Sequence, residues 1–205
     1  MNRAFLTDWL QKKSFDRFPE EKPYADKMLD LLKIPECFER SCFPGHFTGS
    51  ALVVSADGQR GLFTHHRFLD KWIQFGGHCD GDENILRVAQ REALEESGIK
   101  GLIVASDKPF DLDIHPIPAS EKRKESEHFH YDVRFVLIAP ESATEQVSEE
   151  SIALRWMTPE EILSLNSEPG MVRMVQKWKN LLAKRSGHTP ANKTQENGKM
   201  TSCQQ

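Results

Sequence analysis

Three glutamates within one helical turn, Glu92, Glu95 and Glu96, carry the most pointed chemistry in the sequence. They lie in Gly76 to Ile99, GGHCDGDENILRVAQREALEESGI, where a Gly-Gly turn leads through an acidic loop into a helix predicted over Glu83 to Ser97. Gly98 then supplies a natural left-handed C-cap. On a wheel of about 100° per residue with Glu92 at zero, Glu95 and Glu96 fall about 60° to one side and 40° to the other. Ile85, Val88 and Ala89 occupy the same arc in earlier turns, so all three carboxylates are expected to continue the inward apolar stripe. That crowding is costly. Like charges at these spacings repel by a few tenths of a kcal/mol per pair, and acids in the last turn oppose the helix dipole by about 0.3–1 kcal/mol each. Partial burial adds a larger desolvation penalty. A bound divalent cation offsets all three costs, and hard oxygen ligands alone suit Mg²⁺ or Mn²⁺. Arg91 is placed to orient one of the acids. The plain alternative is a solvated, Glu-rich helix end.

A second polar pattern lies downstream. His128, His130, Asp132 and Arg134 alternate along one strand, with Phe129, Tyr131, Val133 and Phe135 on its other face. Asp111, Asp113 and His115 alternate on the preceding strand, which could pair with it through the charged turn Ser120 to Ser126. His115, His130 and Arg134 are therefore candidates to line a substrate cleft, with Arg134 on a phosphate; the competing reading is structural pairing across strands. His65, His66 and Arg67 read as a solvated strand end, and Cys79 as an inert small side chain.

The elements that must position these groups follow from periodicity. Two helices lead the chain (Phe5, Leu6, Trp9, Leu10, then Tyr24, Met28, Leu31, Leu32), broken by Pro19 and Pro23 and closed by Pro35. Strand-like runs follow at Ala51–Val54, Gly61–Thr64, Lys71–Phe75, Ile99–Ala105, Phe110–Ile117, His128–Ile138 and Ala153–Met157. Helices are expected at Pro159–Leu165, with Thr158 as N-cap, and at Pro169–Lys184. Strands that are sometimes adjacent and sometimes separated by helices imply a mixed sheet with helices packed on it. Ser186 to Gln205 is too polar to offset its ordering entropy and reads as a disordered tail.

With 205 residues, the chain has room for one domain plus an added helix and a tail. A formal charge of -4 gives no generic attraction to nucleic acid. No apolar run approaches the roughly 20 residues of a membrane span, and the N-terminus lacks the basic-then-apolar order of a secretory signal. A cytoplasmic protein is expected, with its four cysteines reduced. The leading helices offer a possible surface for oligomerisation.

Gly77, five residues, Glu83, seven residues, Arg91-Glu92, two residues, Glu95-Glu96, one residue, Gly98 and aliphatic Ile99 together resemble the Nudix box, without a gap. Phe75 stands where many relatives have proline, and Ala93 where a larger aliphatic side chain is usual. The resemblance implies a Nudix-type α/β/α sandwich over residues 45–184, preceded by a helical extension (1–44) and followed by the tail (185–205). It implies a hydrolase that cleaves the diphosphate linkage of a nucleoside diphosphate joined to another group, with Mg²⁺ or Mn²⁺ as cofactor. Carried over by position, Glu92, Glu95 and Glu96 resemble the metal carboxylates, Glu92 also being a candidate base, and the Gly76 carbonyl a backbone ligand. Glu83 and Arg91 are implied as supporting residues. Some relatives carry a further acid in the loop before a strand with Trp; Glu150, ahead of Trp156, is the candidate, against a plain solvated acid. Two other readings stay open: a silent Nudix domain that senses a ligand, and a Nudix-like isomerase, which needs an upstream cysteine such as Cys37 or Cys42. Pro116 lies near where some ADP-ribose-cleaving relatives carry a proline, and it does not identify the substrate.

Overall fold

The computed structural model describes residues 1–120 and 126–185. Its helices are α1 (Arg3–Lys12), α2 (Lys22–Leu31), α3 (Ile85–Ser97), α4 (Pro159–Leu165) and α5 (Pro169–Arg185). Its strands are β1 (Gly45–Val54), β2 (Gly61–His66), β3 (Lys71–Ile73), β4 (Phe75–His78), β5 (Ile103–Val104), β6 (Asp111–Ile117), β7 (His128–Ile138) and β8 (Ser151–Met157). The tail expected after Arg185, and residues 121–125 of the charged turn, lie outside the described residues.

All eight strands join one mixed sheet. Its spine runs β3-β2-β1-β7-β5, with β4 paired to β1, β6 to β7 and β8 to β2. β1 and β7 run parallel, from Gly45 opposite Phe129 to Val54 opposite Ile138, and the other pairings are antiparallel.

β1 is buried along its whole length and divides the core. Phe47, Ala51 and Val53 join α3 (Ile85, Val88, Ala89, Ala93) in one cluster, which also takes Leu6 and Leu10 of α1 and Met28 and Leu31 of α2. The leading helices thus share a core with the sheet. Leu52 and Val54 point the other way, into Met171, Met174, Val175 and Trp178 of α5. Each fully buried Val, Leu, Ile, Phe or Met among them contributes about 1.5–3 kcal/mol.

The structure moves several expected boundaries. β1 begins at Gly45 rather than Ala51, because a strand buried on both faces shows no apolar-polar alternation and its first half is Gly, His, Thr and Ser. The run Lys71–Phe75 divides at Gln74 into β3, paired with β2, and β4, paired with β1. The strand expected over Ile99–Ala105 shrinks to Ile103–Val104, since Gly101, at φ +77°, makes a turn ahead of it. Pro23 breaks nothing: it lies in the first turn of α2, where its missing N–H is not needed. That helix ends before Pro35.

α3 is firmly bounded. The Asn84 side chain accepts the Arg87 N–H at its start, and Gly98, left-handed at φ 69°, donates its N–H to the Leu94 carbonyl at its end.

Candidate active site

α3 packs on β1 and β4, which brings its last two turns against the Gly-Gly pair. A Cβ on Gly77 would come within 2.6 Å of both Glu92 carboxylate oxygens, and one on Gly76 within 2.8 Å of the Ser50 side chain. The pair must be glycine because β4 is approached closely from both sides. Glu96 reaches the edge of β4, where Oε1 accepts the Gly76 N–H at 3.0 Å.

The three glutamates do not share one environment. Glu96 is buried, Glu92 is half-buried, and the Glu95 side chain is 59% exposed. The expectation that all three face inward is corrected for Glu95. The buried arc of α3 includes Ala89, Ala93, Glu96 and Ser97, so it is centred on the Glu96 side of the wheel and leaves Glu95 at its rim. Arg91 lies against the group: one terminal guanidinium nitrogen is 2.9 Å from Glu92 Oε1 and the other 3.8 Å from Glu95 Oε2. It also donates to the His78 carbonyl at 3.0 Å, tying α3 to the end of β4.

Burial, reinforced by neighbouring acids, raises the Glu92 carboxyl above its ordinary range and pushes Glu96 up to about 8, despite the Gly76 hydrogen bond that opposes the shift. Glu150 is one of those acids for both residues. It is exposed and belongs to the loop before β8, which Arg67 fastens. The Arg67 side chain donates to the Glu149 carbonyl at 3.0 Å and the Ser151 carbonyl at 2.9 Å, while its backbone N–H donates to the Glu150 carbonyl. A solvated strand end was expected there. His65 stacks on Trp72, and the His66 ring accepts the Phe68 and Leu69 N–H groups. Glu83 pairs with Arg3 of α1 at 3.1 Å.

On the sheet face away from α3 the polar side chains form rows across the strands. His115, His130 and His46 make one; Asp113, Asp132, Thr48 and His78 the next; Asp111, Arg134, Ser50 and Gly76 the third. Arg134 is buried at 4% exposure. Its guanidinium donates to Asp132 at 2.8 Å, Asp111 at 3.1 Å, Asp113 at 2.8 Å and the Gly170 carbonyl at 3.0 Å. With its donors turned to carboxylates, Arg134 has no free fork for a phosphate, and the structural-pairing reading holds for it. Arg173 and Lys177 of α5 join the same network, which the sequence pattern did not reveal because both read as the polar side of an amphipathic helix. The surrounding cations hold the Asp111 and Asp113 carboxyls well below the usual range against their burial.

His115 is part-exposed and hydrogen-bonds Asp113 at 3.1 Å; its ring centre is 5.6 Å from that of His130. Burial pushes His130 down to about 2, so its ring is neutral at ordinary pH. His46 and His78, which complete this patch, were missed in the sequence; register alone brings them there. Burial raises the thiols of Cys37, to about 11, and of Cys79, consistent with inert side chains.

The NUDIX domain family matches residues 46–178, and the chain belongs to that family. A relative named as a probable DHNTP pyrophosphohydrolase of Lactococcus lactis subsp. cremoris is 27% identical over 165 residues, 77% of this chain and 92% of the relative. Among solved structures, a C. elegans Ap4A hydrolase binary complex matches with a TM-score of 0.52 at 19% identity, over 67% of this chain and 98% of that one. The E. coli dihydroneopterin triphosphate pyrophosphohydrolase matches at 0.50 and 17%, over 67% and 95%. Both likenesses are of fold. No helix among the described residues is long and apolar enough to cross a membrane.

Proposed function

We propose that the chain is a divalent-metal-dependent hydrolase that cleaves the diphosphate linkage of a nucleoside diphosphate joined to another group. The observation that carries this reading is the pair Glu92 and Glu96, drawn into the protein with raised proton affinities and packed onto the Gly-Gly turn. Glu92, Glu95, Glu96, the Gly76 carbonyl and Glu150 would hold Mg²⁺ or Mn²⁺; the donor set is hard oxygen throughout and carries excess negative charge, which fits those ions. When bound, the metal screens the non-bridging oxygens of the diphosphate and lowers the pKa of a water. Arg91 keeps Glu92 against β4, where this carboxylate is placed to accept a proton. Because Glu96 holds a proton up to about pH 8 without metal, loading the site releases protons and tightens as pH rises. His115, part-exposed at the end of the polar sheet face, is the residue there that would meet the substrate.

The test is a panel of nucleoside triphosphates, dinucleoside polyphosphates and nucleotide sugars, with product release followed in Mg²⁺, in Mn²⁺ and after chelation. Metal-dependent hydrolysis of at least one compound is expected. Binding of panel compounds without hydrolysis in either metal would replace this reading with that of a ligand sensor.

A further inference from the structure

Away from α3, four histidines from three strands converge. His46 comes from β1, His78 from the end of β4, and His128 and His130 from the start of β7. One ring nitrogen from each lies within 4.8 Å of all the others. The ring centres of His46 lie 5.1 Å from His78, 5.0 Å from His128 and 5.1 Å from His130.

Two features distinguish this cluster from ordinary aromatic packing. His46 is 2% exposed, and neither of its ring nitrogens has a hydrogen bond of acceptable geometry. A buried imidazole that has only an approach to the Cys42 backbone, no well-formed hydrogen bond at either nitrogen, and three other imidazoles around it is short of a partner. His128 is already oriented as a ligand would be: Nδ1 lies 2.7 Å from the Ser126 carbonyl, which fixes the proton on that nitrogen and leaves Nε2 as the acceptor that faces the cluster, where it takes a hydrogen bond from His130. That Nε2 is 3.2 Å from Nε2 of His130, close to the roughly 3.3 Å edge of a tetrahedron with Zn–N bonds of about 2.0–2.1 Å. The widest separation in the group, 4.8 Å, must close by about 1.5 Å to reach that edge.

We infer that His46, His78, His128 and His130 form a binding site for one divalent transition-metal ion, with zinc the best fit, separate from the carboxylates at α3. A set of neutral imidazoles without a carboxylate excludes Mg²⁺ and Ca²⁺ as natural occupants and selects the zinc-like end of the divalent series. Such an ion would tie β1, β4 and β7 together at one end. It would sit behind the strand whose Gly76 and Gly77 meet the glutamates, so it would brace the Gly-Gly turn from the other side of the sheet.

The test uses the full chain, stripped with a chelator and returned to millimolar Mg²⁺ so that the carboxylate site is occupied. ZnCl2 is titrated by calorimetry, and Co²⁺ by visible absorption. One equivalent of Zn²⁺ and the ligand-field bands of nitrogen-coordinated tetrahedral Co²⁺ are expected. Uptake should persist in the double variant Glu92→Gln/Glu96→Gln and weaken at least about 100-fold in His46→Ala and, separately, His78→Gln. Absence of uptake by the stripped parent chain would overturn the inference without any variant. So would uptake lost in the glutamate variant but kept in folded histidine variants, which would assign the ion to α3 instead.

Discussion

Two groups of acids flank the same sheet, and their surroundings are opposite. On the face away from α3, Glu21, Asp111, Asp113 and Asp132 meet Lys13, Arg134, Arg173 and Lys177, so that four carboxylates have four cations. On the α3 side, Glu92, Glu95, Glu96 and Glu150 are near one paired arginine, Arg91. Asp111 and Asp113 are fully or almost fully buried, yet their proton affinities fall; those of Glu92 and Glu96 rise. Burial alone does not distinguish a structural acid from one that awaits a cation. Charge compensation does, and it is why the proposed function assigns the cation to the glutamates.

The largest effect should come from breaking the compensated group. Arg134→Ala leaves three buried aspartates without their shared partner, and removing one member of a buried ionic set costs about 3–5 kcal/mol. Urea denaturation should show that loss. A loss below about 1 kcal/mol would mean that Arg173 and Lys177 already neutralise the site.

The same kind of change at the uncompensated group should act on chemistry instead. Glu96→Gln keeps an oxygen to accept the Gly76 N–H and removes a charge. Turnover should fall by about 10²–10³-fold or more, while the metal-free fold is no less stable than the parent and gains stability as pH rises above about 4.5. Collapse of the metal-free variant would make Glu96 a structural residue.

The two groups should also tilt the pH dependence of the metal-free protein in opposite directions. Glu96 ionises near 4.5 when unfolded and near 8 when folded, so the folded state binds more protons in that interval and stability falls as pH rises through it, by up to a few kcal/mol. The lowered Asp113 contributes stability above its unfolded value of about 3.8, lost as pH falls toward its lower folded value. Thermal melts across pH 3–9 should therefore peak on the acid side of neutrality. Glu96→Gln, or saturating Mg²⁺, should remove the decline above about pH 4.5; a parent chain with no decline there would contradict the burial of that charge.

The sequence showed unevenly which acids belong to which group. The α3 acids were legible because seven box positions lie within one short stretch, and a helical wheel reports on neighbours along a single helix. It misplaced Glu95 because the wheel was centred on Glu92, whereas tertiary packing centred the buried arc nearer Glu96. The compensated network was only half visible. Asp111, Asp113, Asp132 and Arg134 stood out by alternation, but Glu21 and Lys177 arrive from elements 90 or more positions away from at least one partner. His46 was hidden for a related reason: a strand buried on both faces has no period-2 signature, and only its parallel register with β7 places His46 beside His130; His78 ends a four-residue strand too short to show a period, and its pairing with β1 brings it there.

The smallest expected effect tests how far the uncompensated group extends. Glu150 is exposed and touches the box glutamates only through its field, so its membership depends on the loop being held where it is. Arg67 holds it, through two side-chain bonds to backbone carbonyls on either side of Glu150. Arg67→Ala should cost about 1 kcal/mol in stability, the ordinary worth of such bonds near solvent. If Glu150 helps to hold the metal, the same variant should raise the Mg²⁺ concentration for half-maximal rate by about 10-fold, the scale of a lost supporting contact, with little change in kcat at saturation. Glu150→Gln should then raise it at least as much without the stability loss, because the loop stays fastened. A Glu150→Gln enzyme with the parent's Mg²⁺ dependence would confine the metal group to the three glutamates of α3 and leave Arg67 a purely structural tie.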